Sequence, residues 1–279
     1  MIDMVSGFIA VFKRDIRRYV RFKDQLFTSM LHSILWLALF GLGMAGNFER
    51  ILGCGSAPAG MISYDYPTFM CPGMIAATIL FANLYGGFSV LFDKNWGILR
   101  EIMASPMPRR DLIIGISLSS VTKSLIQTVI IIVFGIVLGV TFFSGENFGG
   151  VLISLVGMVL FVAVFSAAVL CVSLYVAFKT SSSKGYQGVT TVLSMPVFFA
   201  SNALSPSAGL PPVLQEIALI NPLTHLSNGL RYFSMGDHFS ALGLEFIYSS
   251  TEILISFIYL LVFALVTFYF PLSGQLSSR

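Results

Sequence analysis

Residues 148–178 read FGGVLISLVGMVLFVAVFSAAVLCVSLYVAF, a stretch from Phe148 to Phe178 with no Asp, Glu, Lys or Arg. A helix needs about 20 apolar residues to cross the hydrocarbon core of a bilayer. This stretch exceeds that and is apolar on every face: Val159 to Phe165 contains no polar position at all. The strands of a membrane barrel would alternate in polarity over about 10 residues. A helix instead satisfies its own backbone hydrogen bonds in lipid. Working outward, residues 25–48, 66–92, 124–145, 185–215 and 253–278 are also free of charge, and with the full run 147–178 the charge-free stretches hold 162 of the 279 residues. Charged residues make up 10% and apolar residues 56% of the chain, against about 25% charged in soluble domains. An ordinary soluble protein is excluded. The fold class is an all-α polytopic membrane protein with six transmembrane helices.

The segments order themselves along the chain as one transmembrane domain over residues 1–279. Residues 4–23 form an amphipathic helix. Val5, Phe8, Ile9, Phe12, Ile16, Tyr19 and Val20 recur at helical spacing, with Lys13, Arg14, Arg17, Arg18 and Arg21 opposite. Such a helix is expected to lie in the membrane interface. Spans are expected near 26–46, 67–92, 112–143, 148–178, 189–204 and 253–272. The fifth is diluted by Thr190, Thr191, Ser194, Pro196, Ser201 and Asn202. A polar segment, 93–111, joins the second and third spans, and Lys179–Lys184 is a tight turn. Residues 205–240 are neither a clear span nor a polar loop. The chain's start, Met1-Ile2-Asp3-Met4, lacks the basic region of a cleaved signal peptide.

Orientation follows from the basic residues. With the N-terminus in the cytoplasm and six spans, 14 of the 16 Lys and Arg fall on the inner side, and only Arg50 and Arg231 fall outside. The expected location is therefore the cytoplasmic (inner) membrane, N-terminus inside, with the C-terminus inside as well if the fifth span is real.

Much catalytic chemistry is missing. No carboxylate pair lies within the apolar runs, so neither an intramembrane enzyme nor a proton- or sodium-driven carrier is indicated. His32 stands alone in the first span; His225 and His238 lack an i, i+4 partner for a metal. The sequence contains no G-x-x-x-x-G-K-[ST] loop for ATP phosphates. No catalytic, cofactor-binding or metal-binding residue is assigned. Uphill movement of a substrate would draw its energy from another subunit. Cys171 reads as a packing residue. Cys54 and Cys71 share the outer side, where a disulfide is chemically allowed, although Cys71 sits inside the second span.

Two stretches carry more. The first runs Trp96-Gly97-Ile98-Leu99-Arg100-Glu101-Ile102-Met103-Ala104-Ser105-Pro106-Met107-Pro108-Arg109, with Gly115 beyond. Ile98, Leu99, Ile102 and Met103 make one apolar face of a short helix, Arg100 and Glu101 lie off it, and Pro106 and Pro108 end it. Such a helix can dock in a partner's groove or rest on lipid. The second runs Ala203-Leu204-Ser205-Pro206, Leu210-Pro211, Leu219-Ile220-Asn221-Pro222-Leu223-Thr224 and Arg231-Tyr232. Asn221 can cap a helix whose first position is Pro222, and Leu223, Leu226, Leu230 and Phe233 share a face.

Both stretches, in this order, resemble the connector and the pre-final-span signature of type-2 ABC export permeases, such as the daunorubicin-resistance and nodulation-factor exporters. The resemblance covers almost the whole chain. It departs at Ile116, where many members carry Lys; the next basic residue along the chain is Lys123. The resemblance implies two permease chains about a two-fold axis, a homodimer, above two separate ATPase subunits that hold ATP and magnesium. It implies that the connector is the coupling helix, seated in the ATPase through Trp96, Ile98, Leu99, Arg100, Glu101, Ile102, Met103, Ser105, Pro106 and Arg109. It further implies that 205–240, with Pro206, Pro211, Asn221, Pro222 and Arg231, forms short outer helices that re-enter the membrane. The expected partners are an ABC ATPase, a second permease chain and lipid, without nucleic acid. The expected function is ATP-driven export of an amphipathic or hydrophobic, drug-like or lipid-like molecule. The alternative is export of a lipid-linked glycan; an uncoupled channel or an intramembrane enzyme stands further off.

Overall fold

The computed structural model describes residues 2–21, 31, 34–43, 62–104, 108–144, 147–206, 211–241 and 244–276. Its elements are α1 (Ile2–Arg21), β1 (Ile62–Tyr64), α2 (Tyr66–Gly86), α3 (Phe88–Asn95), α4 (Ile98–Ala104), α5 (Arg109–Val137), α6 (Phe148–Lys179), α7 (Ser183–Phe199), α8 (Pro212–Ile220), α9 (Pro222–Met235), β2 (His238–Ala241), β3 (Leu244–Ile247) and α10 (Ser250–Leu276). Leu37–Leu42 is wound as a π-helix.

Among the described residues four helical stretches are long and apolar enough to cross a membrane: Tyr66–Asn95, Arg110–Val137, Phe148–Lys179 and Ser250–Pro271. Residues 26–30, 32, 33 and 44–46 of the expected first span, His32 among them, lie outside the described residues, as does Cys54. The segment expected to form the fifth span is helical over Ser183–Phe199, 17 residues, which at 1.5 Å per residue is about 25 Å. It begins six residues earlier than the sequence suggested, because Ser182 accepts a hydrogen bond from the Gly185 amide at 3.1 Å and caps it. It ends early because the chain bends through 201–205.

The third expected span also ends early, at Val137 rather than 143. Gly139 has φ +90° and Phe143 φ 56°, so the apolar run continues but the helix does not. The Phe143 amide donates instead to the Ser234 carbonyl at 2.8 Å.

The fold is not purely helical. β1 pairs in parallel with β2, Ile62 opposite Phe239, and β2 pairs antiparallel with β3, Phe239 opposite Phe246. The Phe239 and Phe246 rings stack nearly parallel with their centres 5.2 Å apart, and Phe69 of α2 packs on Phe246. Aromatic cross-strand pairs stabilise short sheets that would be marginal alone.

α6 is central, packed on α10, α5, α2 and α9. One apolar core, at the sheet end, gathers Phe69, Met70, Met74, Phe161, Phe165, Leu223, Leu226, Leu230 and Phe239. A second, at the α4 end, gathers Val11, Val90, Leu99, Leu112, Ile113, Ile116, Leu170 and Leu174. Cys71 and Cys171 are buried free thiols; Cys171 packs in the second core.

Candidate functional site

Five helices converge at the α4 end. α2 breaks at Gly87, α3 continues to Asn95, and Gly97 at φ +80° turns the chain into α4. A positive φ favours glycine because it has no Cβ to clash. The Gly97 carbonyl then accepts from the Arg100 and Glu101 amides at 2.9 and 3.3 Å, which starts the helix.

The connector's apolar residues divide between two sides. Leu99 is 8% exposed and belongs to the second core, with Ile102 packed against it. Trp96 is 73% and Ile98 36% exposed, and Arg100, Glu101 and Ala104 are exposed beside them. On that side Leu99 and Ile102 meet residues of the chain's own α1, α5 and α6. Ser105 and Pro106 and the side chains of Met103 and Arg109 lie outside the described residues.

α1 packs on α5 rather than on lipid alone. Val11 and Tyr19 are buried. The approach is close because residue 115 is glycine. A Cβ there would come within 2.8 Å of the Phe8 carbonyl oxygen and 2.9 Å of the Val11 Cβ. Asp15 of α1, almost buried, pairs with Lys123 of α5 at 2.5 Å and accepts from the Ser119 hydroxyl. On α3, Asp93 accepts from Arg14 at 2.9 Å and Arg18 at 3.2 Å. Lys94 donates to the carbonyls of Phe178 and Thr180 at 2.7 and 3.0 Å, so a cation closes the C-terminal end of α6. The sequence singled out none of Asp15, Asp93 or Lys94. The available signal was Asp15 alone, the one carboxylate among the basic residues from Lys13 to Arg21, and it names no partner.

At the sheet end, Asn221 caps α9, accepting from the Leu223 amide at 3.0 Å, with Pro222 at the first position. Pro211 stands before α8 and Pro206 is buried after the 201–205 bend. Arg231 is fully buried. Its Nη2 donates to the Asn202 and Ala203 carbonyls at 2.7 and 3.2 Å, its Nε to the Phe69 carbonyl at 3.3 Å, and its guanidinium lies 3.9 Å from the Phe69 ring centre. It thereby joins α9 to α2 and to the carbonyls that the bend after α7 frees. Among the described residues no cluster of three or more His, Cys, Asp or Glu could hold a metal.

A family model described as ABC-2 type transporter matches residues 6–234. The chain is 30% identical over 233 residues to the transport permease ycf38 of Porphyra purpurea, covering 82% of this chain and 74% of that one. It is 22% identical over 232 residues to the daunorubicin resistance ABC transporter permease DrrB1 of Streptomyces coeruleorubidus, covering 83% and 76%. It is 25% identical over 177 residues to a doxorubicin resistance ABC transporter permease, DrrC, of Mycobacterium tuberculosis, covering 63% and 62%. The match spans both the α4 connector and the Asn221–Arg231 segment described above, and the chain belongs to the ABC-2 type transporter family as a multi-pass permease subunit of an ABC transporter.

Proposed function

We propose that the chain is the membrane half of an ATP-driven exporter of amphipathic or hydrophobic molecules, and that α4 is where the ATPase grips it. The observation that carries this reading is the two-sided connector. Leu99 anchors α4 in the permease core while Trp96, Ile98, Arg100 and Glu101 project outward. An apolar pair beside opposite charges on a firmly held helix suits a protein groove with a polar rim. Met103, Ser105, Pro106 and Arg109 complete the same segment.

The α4 end is the cytoplasmic end in this reading, in keeping with the inner-side excess of Lys and Arg, and the membrane is the cytoplasmic (inner) one. α1 lies along the inner face, its exposed Lys13, Arg17 and Arg21 toward headgroups. α8 and α9, with Pro206, Pro211, Asn221, Pro222 and Arg231, form the outer re-entrant segment.

A second copy of the chain completes the transporter. α7 buries only Tyr186, Thr190, Ser194 and Phe198 and leaves Val189, Val192, Leu193, Met195 and Phe199 exposed. This face, with the first span, supports a homodimer. The drug-resistance names of two relatives support a hydrophobic cargo. ATP and magnesium belong to the partner ATPase. The reading is tested by co-expression with an ABC ATPase subunit from the same genome: affinity-purified complex and ATP-dependent doxorubicin uptake into inverted vesicles are expected. A permease that purifies alone at full yield, with no ATP-dependent drug movement, contradicts it.

A further inference from the structure

The second membrane-crossing stretch is not one continuous helix. It breaks at Gly87, between α2 and α3. Helix kinks arise at glycine or serine pairs, or where a foreign side chain enters the i→i−4 ladder. Both causes meet here. Gly86 and Gly87 are adjacent, and two hydroxyls from other helices occupy the ladder. Ser173 Oγ of α6 accepts from the Gly87 amide at 2.8 Å and lies 2.7 Å from the Leu84 carbonyl oxygen. Tyr186 Oη of α7 donates to the same carbonyl at 2.6 Å and lies 2.7 Å from Ser173 Oγ. Ser173 and Tyr186 are both fully buried.

The site admits no side chain at residue 87. A Cβ there would lie 2.5 Å from Ser173 Oγ and 2.8 Å from Tyr186 Oη. Beyond the break, α3 carries Asp93, bound by Arg14 and Arg18 of α1, and Lys94, bound to the end of α6. The break therefore separates the body of α2 from an arm that leads directly into α4.

We propose that Gly86–Gly87 is a hinge about which the α3–α4 arm turns during the transport cycle, and that Ser173 and Tyr186 are its latch. The two hydroxyls keep the Leu84 carbonyl and the Gly87 amide bonded when the helix is bent. Release of the latch lets the arm move without leaving those buried groups permanently unpaired, since the helix ladder can take them back. Ser173 and Tyr186 are thus positioning residues that act through the backbone of α2. This rests on the reading of α4 as the ATPase contact.

The test is hydrogen–deuterium exchange on the complete permease–ATPase complex in phosphatidylethanolamine–phosphatidylglycerol nanodiscs, nucleotide-free and trapped with ADP and vanadate. Exchange of amides 85–92 is expected to differ between the two states on the order of fivefold, the loss or gain of one hydrogen bond, while amides 69–80 of α2 stay unchanged. Tyr186→Phe, which keeps the ring, and Ser173→Ala are each expected to raise nucleotide-free exchange at 85–92 to a similar extent and to shrink the difference between states. A fixed kink predicts identical wild-type exchange at 85–92 in both states. That result, with α4 protected by the ATPase, overturns the hinge and leaves the function reading standing. Absence of ATPase protection over α4 overturns both.

Discussion

Lys123 Nζ sits 2.5 Å from Asp15 Oδ2, joining α5 to α1 across 108 positions of sequence. Both side chains are largely withdrawn from solvent, and Ser119 adds a second donor to the same carboxylate. Lys123 therefore holds the N-terminal helix, and the absence of Lys after Gly115 leaves that helix anchored. Removing one partner of a buried pair costs about 3–5 kcal/mol, because the other charge is stranded.

Asp15→Ala and Lys123→Ala are accordingly expected to lower the thermal midpoint of the detergent-solubilised permease. The exchanged pair, Asp15→Lys with Lys123→Asp, should recover much of the loss. Fluorescence-detected size exclusion after a temperature ramp reads this directly. Recovery fails if the two residues act independently, because the second substitution then only adds to the first.

Gly115→Leu tests the helix crossing itself. Even the first carbon of a side chain would press on Phe8 and Val11, and overpacking a close contact costs about 1–3 kcal/mol. The expected outcome is faster proteolysis within residues 2–21, with the sheet end unaffected. Equal proteolysis of Gly115→Leu and wild type would mean that α1 does not dock as described.

The sequence made some of these relationships legible and hid others for definite reasons. α6 was readable to within a residue at each end, because an uninterrupted apolar run has only one fate in a bilayer. α9 was readable because Asn221 and Pro222 announce a helix start. The end of α5 was not, since the residues after Val137 remain apolar and only the positive φ values at Gly139 and Phe143 turn the chain. β1 was not either: its partner strand lies more than 170 positions away, and Ile62 to Tyr64 is too short to show alternation. In the connector, apolar residues fall on both sides of a seven-residue helix. Periodicity alone could not say which side the permease keeps for itself. The Asp15 and Asp93 pairings were equally silent, because a carboxylate's partner is a fact of the tertiary fold.

Arg231 should tolerate replacement poorly at the sheet end. Arg231→Met keeps much of the apolar stem but leaves the Asn202, Ala203 and Phe69 carbonyls without their donor. Each unsatisfied buried group costs about 1–3 kcal/mol. Lysine has one amine and lacks the planar fork needed to reach all three. Both Arg231→Met and Arg231→Lys are therefore expected to lower the thermal midpoint, lysine less. Deuterium uptake should rise over 201–206 and 222–235 while the α4 end stays protected. A uniform rise across the chain would instead indicate global unfolding and argue against a local clasp.

Ile98 and Leu99 are adjacent, yet their substitution should produce opposite phenotypes. Leu99 is packed among Val11, Leu112 and Ile116. Leu99→Asp would bury an unpaired carboxylate within the permease, at a cost of several kcal/mol. The α4 end should loosen, and solubilised protein should become unstable even without an ATPase. Ile98 points away from that core, so Ile98→Asp should leave the isolated permease as stable as wild type. Its effect should appear only when the ATPase is present, as a lower yield of complex and lower drug-stimulated ATP turnover. Trp96→Ala should behave like Ile98→Asp, and Arg100→Ala more mildly, since exposed ion pairs contribute about 0–1 kcal/mol. Melting curves of the free permease, set beside pull-down yields with the ATPase, separate the two surfaces. If Ile98→Asp and Trp96→Ala both leave the complex at full yield, the outward side of α4 is not the ATPase contact.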